Sequence, residues 1–173
     1  MTKRNTYRLL AIDPGTKYLG VAIFEGKELI YYATKTIPKL KTPRKTLRAG
    51  GKIIQRLIHD FKPKIMIVEK TFFPQSANSA LLNTFTNRIQ IVGKRKGLTV
   101  HTYAANTVRK YVCGNGSASK DEVAKVLISY YPELKAFLTS DKRWKELFHR
   151  NMFDAVALGL FYLHSNSGQD IAI

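Results

Sequence analysis

Two apolar runs near the start of the chain, within LLAIDPGTKYLGVAIF, constrain its fold more than any other feature. They predict β-strands over 7–12 and 18–24, separated by a Pro-Gly turn that directly follows Asp13. A third strand is predicted over 29–37, after a second short turn. Because both connections are short, the sequence predicts an antiparallel meander whose first strand ends at a carboxylate.

The rest of the chain alternates between helical and strand patterns. Thr42-Pro43 predicts an N-cap and first helical residue, and that helix runs to about Phe61. A short apolar strand over 65–68 ends at Glu69. The later predicted elements are a helix over 76–95, a strand over 98–103, a helix over 107–112, a helix starting at a capping box over 119–122, and a helix over about 147–163. This order predicts one α/β domain over residues 1–173, with a mixed five-stranded sheet and helices packed on it.

The charge of the chain indicates a polyanionic partner. Lysine and arginine number 29 against 12 aspartates and glutamates, a net charge of +17, with basic segments at 41–48, 94–96 and 141–145. This excess favours nucleic acid, and no segment predicts a membrane anchor. The single cysteine, Cys113, excludes an internal disulfide and favours a reducing, intracellular location.

Three acids lie at positions that favour a shared site. Asp13 and Glu69 end predicted strands, and Asp154 lies in the apolar sequence of the last helix. Carboxylates that converge at one edge of a sheet suit Mg²⁺ or Mn²⁺, and a pair of such ions can promote phosphodiester hydrolysis. Alternatively, Asp13 caps its turn and Glu69 faces solvent. An unpaired Asp154 would be costly in apolar surroundings.

Two neighbours of Asp154 offer further ligands. Asn151 lies three residues earlier, on the same helix face, and would supply a neutral carbonyl oxygen. His149 would reach the site only if the helix started near Asn151.

Four segments together resemble RuvC, the bacterial Holliday-junction resolvase family. AIDPGTKYLGVAI resembles its first motif and IVEKTFFPQSANSAL its second acid motif. TYAANTVRKYVCGNGSASKDEV is similar to the segment before its third helix, and NMFDAVALGL to its last motif. The resemblance implies an RNase H-like fold with helices on both faces of the sheet, and a homodimer. It also implies Mg²⁺-dependent symmetric nicking of four-way DNA junctions, with Mn²⁺ able to substitute and a pair of ions in each active site.

The resemblance also assigns roles by position. Asp13, Glu69 and Asp154 match the metal-binding acids, while Asn151 departs from the usual aspartate, leaving carbonyl ligation, substitution by His149 or reduced activity open. Lys120 matches a basic residue near the scissile phosphate.

Other matched positions concern DNA and partners. Arg109 lies where the resemblance places a second basic residue, and the adjacent Lys110 is a further candidate for DNA binding. The plainer role of Lys120 and Arg109 is phosphate anchoring. Phe72, which precedes Phe73, matches an aromatic residue that wedges against the bases of the junction. The plainer interpretation is that Phe72 packs in the hydrophobic core. The helix over 76–95 matches a dimer interface, although its apolar face could pack on its own sheet.

The predicted function is resolution of Holliday junctions in recombination and repair. The predicted setting is the nucleoid in a bacterial cytoplasm, or the equivalent for a phage protein, with a branch-migration helicase as a further partner. The alternatives are an RNase H-like nuclease that processes pre-rRNA, and a junction-binding protein with reduced catalysis.

Overall fold

A computed structural model describes residues 7–71, 77–138 and 143–166, without the side chains of 77, 78 and 143–147. The strands are β1 (Arg8–Asp13), β2 (Tyr18–Glu25), β3 (Glu28–Thr36), β4 (Ile65–Lys70) and β5 (Thr99–Ala104). The helices are α1 (Pro43–Phe61), α2 (Ala77–Arg95), α3 (Ala105–Cys113), α4 (Lys120–Tyr130), a 3₁₀ helix (Pro132–Phe137) and α5 (Arg143–Ser165).

The strands form one five-stranded sheet in the order β3-β2-β1-β4-β5. β1, β2 and β3 form the predicted antiparallel meander, and β4 and β5 extend the sheet in parallel with β1. The predicted mixed sheet is therefore confirmed. The chain passes between the parallel strands through α1 and α2, as parallel pairing requires.

Two of the boundaries that differ from the sequence prediction lie close to candidate site residues. β4 continues past Val68 because Glu69 pairs with Tyr103 and Lys70 with Ala104 on β5. Strand pairing thus extends beyond the apolar run that predicted the strand. α5 begins at Arg143, earlier than the predicted residue 147.

Helices cover both faces of the sheet, as the resemblance implied. Alternate residues of β1 point to opposite faces, so Leu10 and Ile12 pack against α1 and α2, while Leu9 and Ala11 pack against α3, α4 and α5. The long helix α5 is buried along most of its length from Met152. Within the described ranges, no helix combines the length and apolar character needed to cross a bilayer.

The apolar face of α2 packs inside the chain itself. Phe85 and Ile89 are almost fully buried against α1 and the sheet, together with Met66 and Val68. The apolar face of the helix predicted to form a dimer interface is therefore covered by the chain's own core, as the alternative reading expected. The predicted first residue of that face, Ala77, has no described side chain.

The start of α1 is fixed at the edge of the sheet where β1 ends. The Ile37 amide, just past β3, donates to the Lys17 carbonyl at 2.8 Å, in the loop that follows Asp13. Thr42 then caps the helix by accepting a hydrogen bond from the Lys45 amide at 3.3 Å. The predicted N-cap is confirmed, and α1 runs from this edge towards the opposite one.

Candidate active site

Asp13 and Glu69 lie side by side because their strands are neighbours in register. β1 pairs in parallel with β4, and the last matched pair joins Ile12 to Val68, so each acid is the next residue on its strand. Asp13 is only 7% exposed, and Glu69 is half-buried. Both carboxylates thus lie at one edge of the sheet.

Asp154 reaches the same edge from α5, which packs across β1 and β2. Its side chain is 9% exposed. The three acids come from distant parts of the sequence, and the structure brings them together as one electrostatic cluster.

Mutual repulsion and burial disfavour full ionisation of this cluster. Burial raises the pKa of Asp13 well above its usual range, and the charges of Glu69 and Asp154 add to the increase. Burial, followed by the charge of Asp154, raises the pKa of Glu69 to about 7. Lys120 and Arg109 lower both pKa values without cancelling the increase. The site therefore has too little positive charge to keep all three acids ionised.

Local capping fixes Lys120 at the start of α4. The Ser119 hydroxyl accepts a hydrogen bond from the Glu122 amide at 3.2 Å, and the Glu122 carboxylate accepts one from the Ser119 amide at 2.7 Å. This is the predicted capping box, and it makes Lys120 the first residue of the helix. The Lys120 ammonium donates a hydrogen bond to Asp154 Oδ2.

The other predicted basic and aromatic residues differ in their placement. Arg109 on α3 is half-buried, and its charge acts on both Asp13 and Glu69. Lys110 is exposed on the same helix. Phe72 and Phe73 lie outside the described residues.

Asn151 lies on α5, one turn before Asp154, against the start of β2. Its side-chain nitrogen donates a hydrogen bond to the Tyr18 carbonyl at 3.1 Å. This contact requires Gly20, because a Cβ there would overlap the backbone of Asn151. The nitrogen is engaged with β2, so the amide oxygen is the atom suited to bind a metal.

His149 does not meet the condition for reaching the acids. α5 begins at Arg143, so His149 lies well inside a regular helix. Its ring packs edge-on against Phe137 and Phe148, with centroid distances of 4.8 and 5.1 Å. The geometry therefore supports Asn151 rather than His149 as the candidate ligand.

The sequence reading missed two supporting contacts. The first is the hydrogen bond between the Tyr18 carbonyl and Asn151. The one indication of it in the sequence was Gly20, because a glycine inside a strand often marks the close approach of another backbone segment. The Thr71 hydroxyl donates to Asn83 Oδ1 at 2.9 Å, tying the end of β4 to α2 just after Glu69.

The chemistry of these residues fits a hard divalent cation. Carboxylate and amide oxygens are the ligands that Mg²⁺ and Mn²⁺ prefer, and a cation would offset the burial and the repulsion that raise the pKa values of Asp13 and Glu69. As the described side chains stand, no group of three or more histidines, cysteines or acids is arranged around a metal position. Lys120 instead bonds to Asp154.

Known proteins match the chain over most of its length. The sequence model of the family described as crossover junction endodeoxyribonuclease RuvC matches residues 9–141. The RuvC of Methylococcus capsulatus is 34% identical over 119 residues, covering 67% of this chain and 72% of the relative. The RuvC of Akkermansia muciniphila is 29% identical over 163 residues, or 91% of each chain.

Solved structures show the same fold. T. thermophilus RuvC in complex with a Holliday junction substrate matches with a TM-score of 0.74 and 20% identity, over 94% of this chain and 96% of that one. The yeast mitochondrial resolvase Ydc2 matches with a TM-score of 0.69 and 12% identity, over 94% and 80%. The fold is RNase H-like, as the resemblance implied. With the family match spanning most of its residues, the chain belongs to the RuvC family of crossover junction endodeoxyribonucleases.

Proposed function

We propose that this chain is a metal-dependent, structure-selective DNA endonuclease that resolves Holliday junctions by paired symmetric nicks, in recombination and repair. One observation carries the proposal: Asp13, Glu69 and Asp154 converge on one edge of the sheet beside Lys120, in a member of the RuvC family. The net charge of +17 suits a DNA substrate.

The acids would hold Mg²⁺, for which Mn²⁺ could substitute. Asp13 and Glu69 would bind one ion, and Asp154 with the amide oxygen of Asn151 would bind a second. Bound ions supply Lewis acidity, which lowers the pKa of an attacking water and stabilises the leaving oxygen. The raised pKa values of Asp13 and Glu69 support this role, because a cation would favour their ionised forms.

Lys120 would hold the phosphate in place and stabilise its charge. Its ammonium bonds to Asp154 at the first residue of α4, so it lies within reach of any phosphate seated on the acids. Negative charge builds on the phosphate oxygens during in-line attack, and a cation fixed beside them lowers the barrier. Arg109 would add a second positive charge to the acid cluster.

We place the dimer interface on the exposed face of α2. Phe85 and Ile89 are buried in the chain's own core, whereas Ile91 is 48% exposed beside a groove of about 690 Å³ between α1 and α2. A two-fold dimer would present two active sites to two symmetric strands. Sedimentation of Ile91→Glu should yield monomers if this face associates, and an unchanged dimer would exclude it. A helicase partner and a bacterial cytoplasmic or phage setting are further parts of the proposal.

Substrate comparison tests the proposed function. Labelled four-way junction, flap, duplex and RNA hairpin are incubated with the protein in Mg²⁺, and we expect paired nicks in the junction above all. Preferred cleavage of RNA would instead favour pre-rRNA processing. Tight junction binding without cleavage in Mg²⁺ or Mn²⁺ would favour a binding protein.

The Asp13→Asn variant separates chemistry from binding. We expect it to abolish cleavage while junction binding survives, because the acid serves metal rather than DNA directly. Glu28→Gln is the matched control, since Glu28 is an exposed acid on β3, away from the acid cluster. Loss of binding and cleavage together in a folded Asp13→Asn variant would contradict the assigned role.

A further inference from the structure

A long segment of the chain contains cations but no acids. Residues 29–59 lack aspartate and glutamate entirely, yet they contain eight lysines and arginines. They are Lys35, Lys39, Lys41, Arg44, Lys45, Arg48, Lys52 and Arg56. Most of this charge lies in α1 or just before it, so it is concentrated on one part of the surface.

Four of these cations follow one another along α1. Arg44, Arg48, Lys52 and Arg56 are spaced four residues apart, and all are exposed. Residues at this spacing lie on neighbouring turns of a helix face. We call these four residues the α1 stripe; at 1.5 Å per residue it extends about 18 Å.

This arrangement does not stabilise α1 by itself. Like charges four residues apart repel each other, and cations in the first turn face the positive end of the helix dipole. The first turn of α1 contains Arg44 and Lys45 and has no acid. In the part of the chain that is described, the one recorded ion pair of the stripe joins Arg56 to Asp60 at 3.5 Å.

The α1 stripe begins at the edge of the sheet that holds the acids. α1 starts next to the loop after Asp13, through the bond between the Ile37 amide and the Lys17 carbonyl. It ends at the opposite edge, where Arg8 at the start of β1 donates to the Phe61 carbonyl at 3.2 Å. A polyanion seated on the acids could therefore continue along the stripe.

We propose that the α1 stripe binds the phosphate backbone of a duplex DNA arm that leaves the active site. Successive phosphates of one strand lie about 3.4 Å apart along the axis, so the stripe spans about five of them. Four exposed cations without acids between them match such a row in sign and length. The identity of the substrate rests on the proposed function, whereas the charge and position of the stripe do not.

A pair of charge-matched variants tests the proposal. The stripe variant is R44Q/R48Q/K52Q, which omits Arg56 because of its contact with Asp60. The control variant is K27Q/K62Q/K64Q, whose residues are exposed near the other edge of the sheet, where Arg8 pairs with Glu25 and Leu9 with Ile65. Both variants lose the same formal charge. Equal melting temperatures would show that each remains folded.

Binding to a four-way junction with long arms is measured as a function of salt. With arms of about 25 base pairs, we expect the slope of log K against log salt to flatten by about 2.7 in the stripe variant, or about 0.9 for each lost phosphate contact. The loss of binding affinity in the stripe variant, relative to wild type, should then be about forty-fold smaller at about 200 mM salt than at about 50 mM salt. The slope of the control variant should stay close to that of wild type.

Equal slopes for the stripe and control variants on long arms would overturn the proposal. Linear duplex DNA is measured in parallel. If wild type neither prefers nor nicks junctions, the proposed function fails, while the salt slopes on duplex still decide whether the stripe binds DNA.

Discussion

Replacing Glu69 by glutamine should stabilise the protein at alkaline pH while it abolishes cleavage. Glu69 is half-buried beside two other carboxylates, and its pKa rises to about 7 from the usual 4.5 because of burial and the charge of Asp154. Ionising this group therefore costs more free energy in the folded protein than in the unfolded chain. Glutamine keeps the shape and removes the charge.

The sign and size of the effect follow from linkage. Between about pH 4.5 and pH 7 the unfolded chain releases the proton of residue 69, while the folded protein retains it, so the free energy of unfolding falls as the pH rises. A difference of that size in pKa corresponds to about 3 kcal/mol once the pH exceeds the folded value. The raised pKa of Asp13 has the same sign and adds to the loss.

Urea unfolding in EDTA measures this effect directly. The free energy of unfolding of wild type should fall by about 3 kcal/mol or more between about pH 5 and about pH 8. The free energy of unfolding of E69Q should equal the wild-type value at about pH 5 and exceed it at about pH 8. The matched control is E28Q, because Glu28 is exposed on β3. A wild-type stability that stays constant over this range, or an E69Q variant less stable than wild type at about pH 8, would refute the reasoning.

Three further changes test other parts of the site. Lys120→Met removes the cation that bonds to Asp154, so kcat for junction nicking should fall at least about 100-fold with a smaller change in binding. Asn151→Asp loses the bond to the Tyr18 carbonyl and adds a charge, so the protein in EDTA should lose about 1–3 kcal/mol in urea unfolding, and Mg²⁺ should raise its Tm more than that of wild type. Gly20→Ala pushes a methyl group into α5 and should cost about 1–3 kcal/mol in the same assay; an unchanged Tm would contradict the close approach.

Local sequence rules predicted the elements that local interactions determine. The N-cap at Thr42 and the capping box from Ser119 to Glu122 were read from a few adjacent residues, and both form as expected. The capping box also fixed Lys120 at the start of a helix. The meander followed in the same way from short turns between alternating strands.

Contacts between distant residues could not be read in this way. The bond from Asn151 to Tyr18 joins residues 133 positions apart, and nothing in either neighbourhood specifies the other. Likewise, the spacing of Phe85 and Ile89 indicated an apolar face without indicating what covers it, and the cover is the chain's own core. Periodicity identifies a face, whereas the tertiary structure decides its partner.

The acid cluster and the α1 stripe have opposite charges and a common physical character. Each holds like charges closer together than folding alone would favour: burial and the neighbouring charges raise the pKa of Asp13 and Glu69, and the stripe sets Arg44 against the helix dipole. A divalent cation would relieve the acids, and a row of phosphates would relieve the stripe. Under the proposed function, a DNA backbone that carries divalent cations would supply both, beginning at one edge of the sheet, whereas a small anion would satisfy the stripe alone. One ligand, DNA with bound cations, would thus offset the unfavourable charge at both places. Binding of that ligand therefore explains these two charge clusters better than the requirements of folding do.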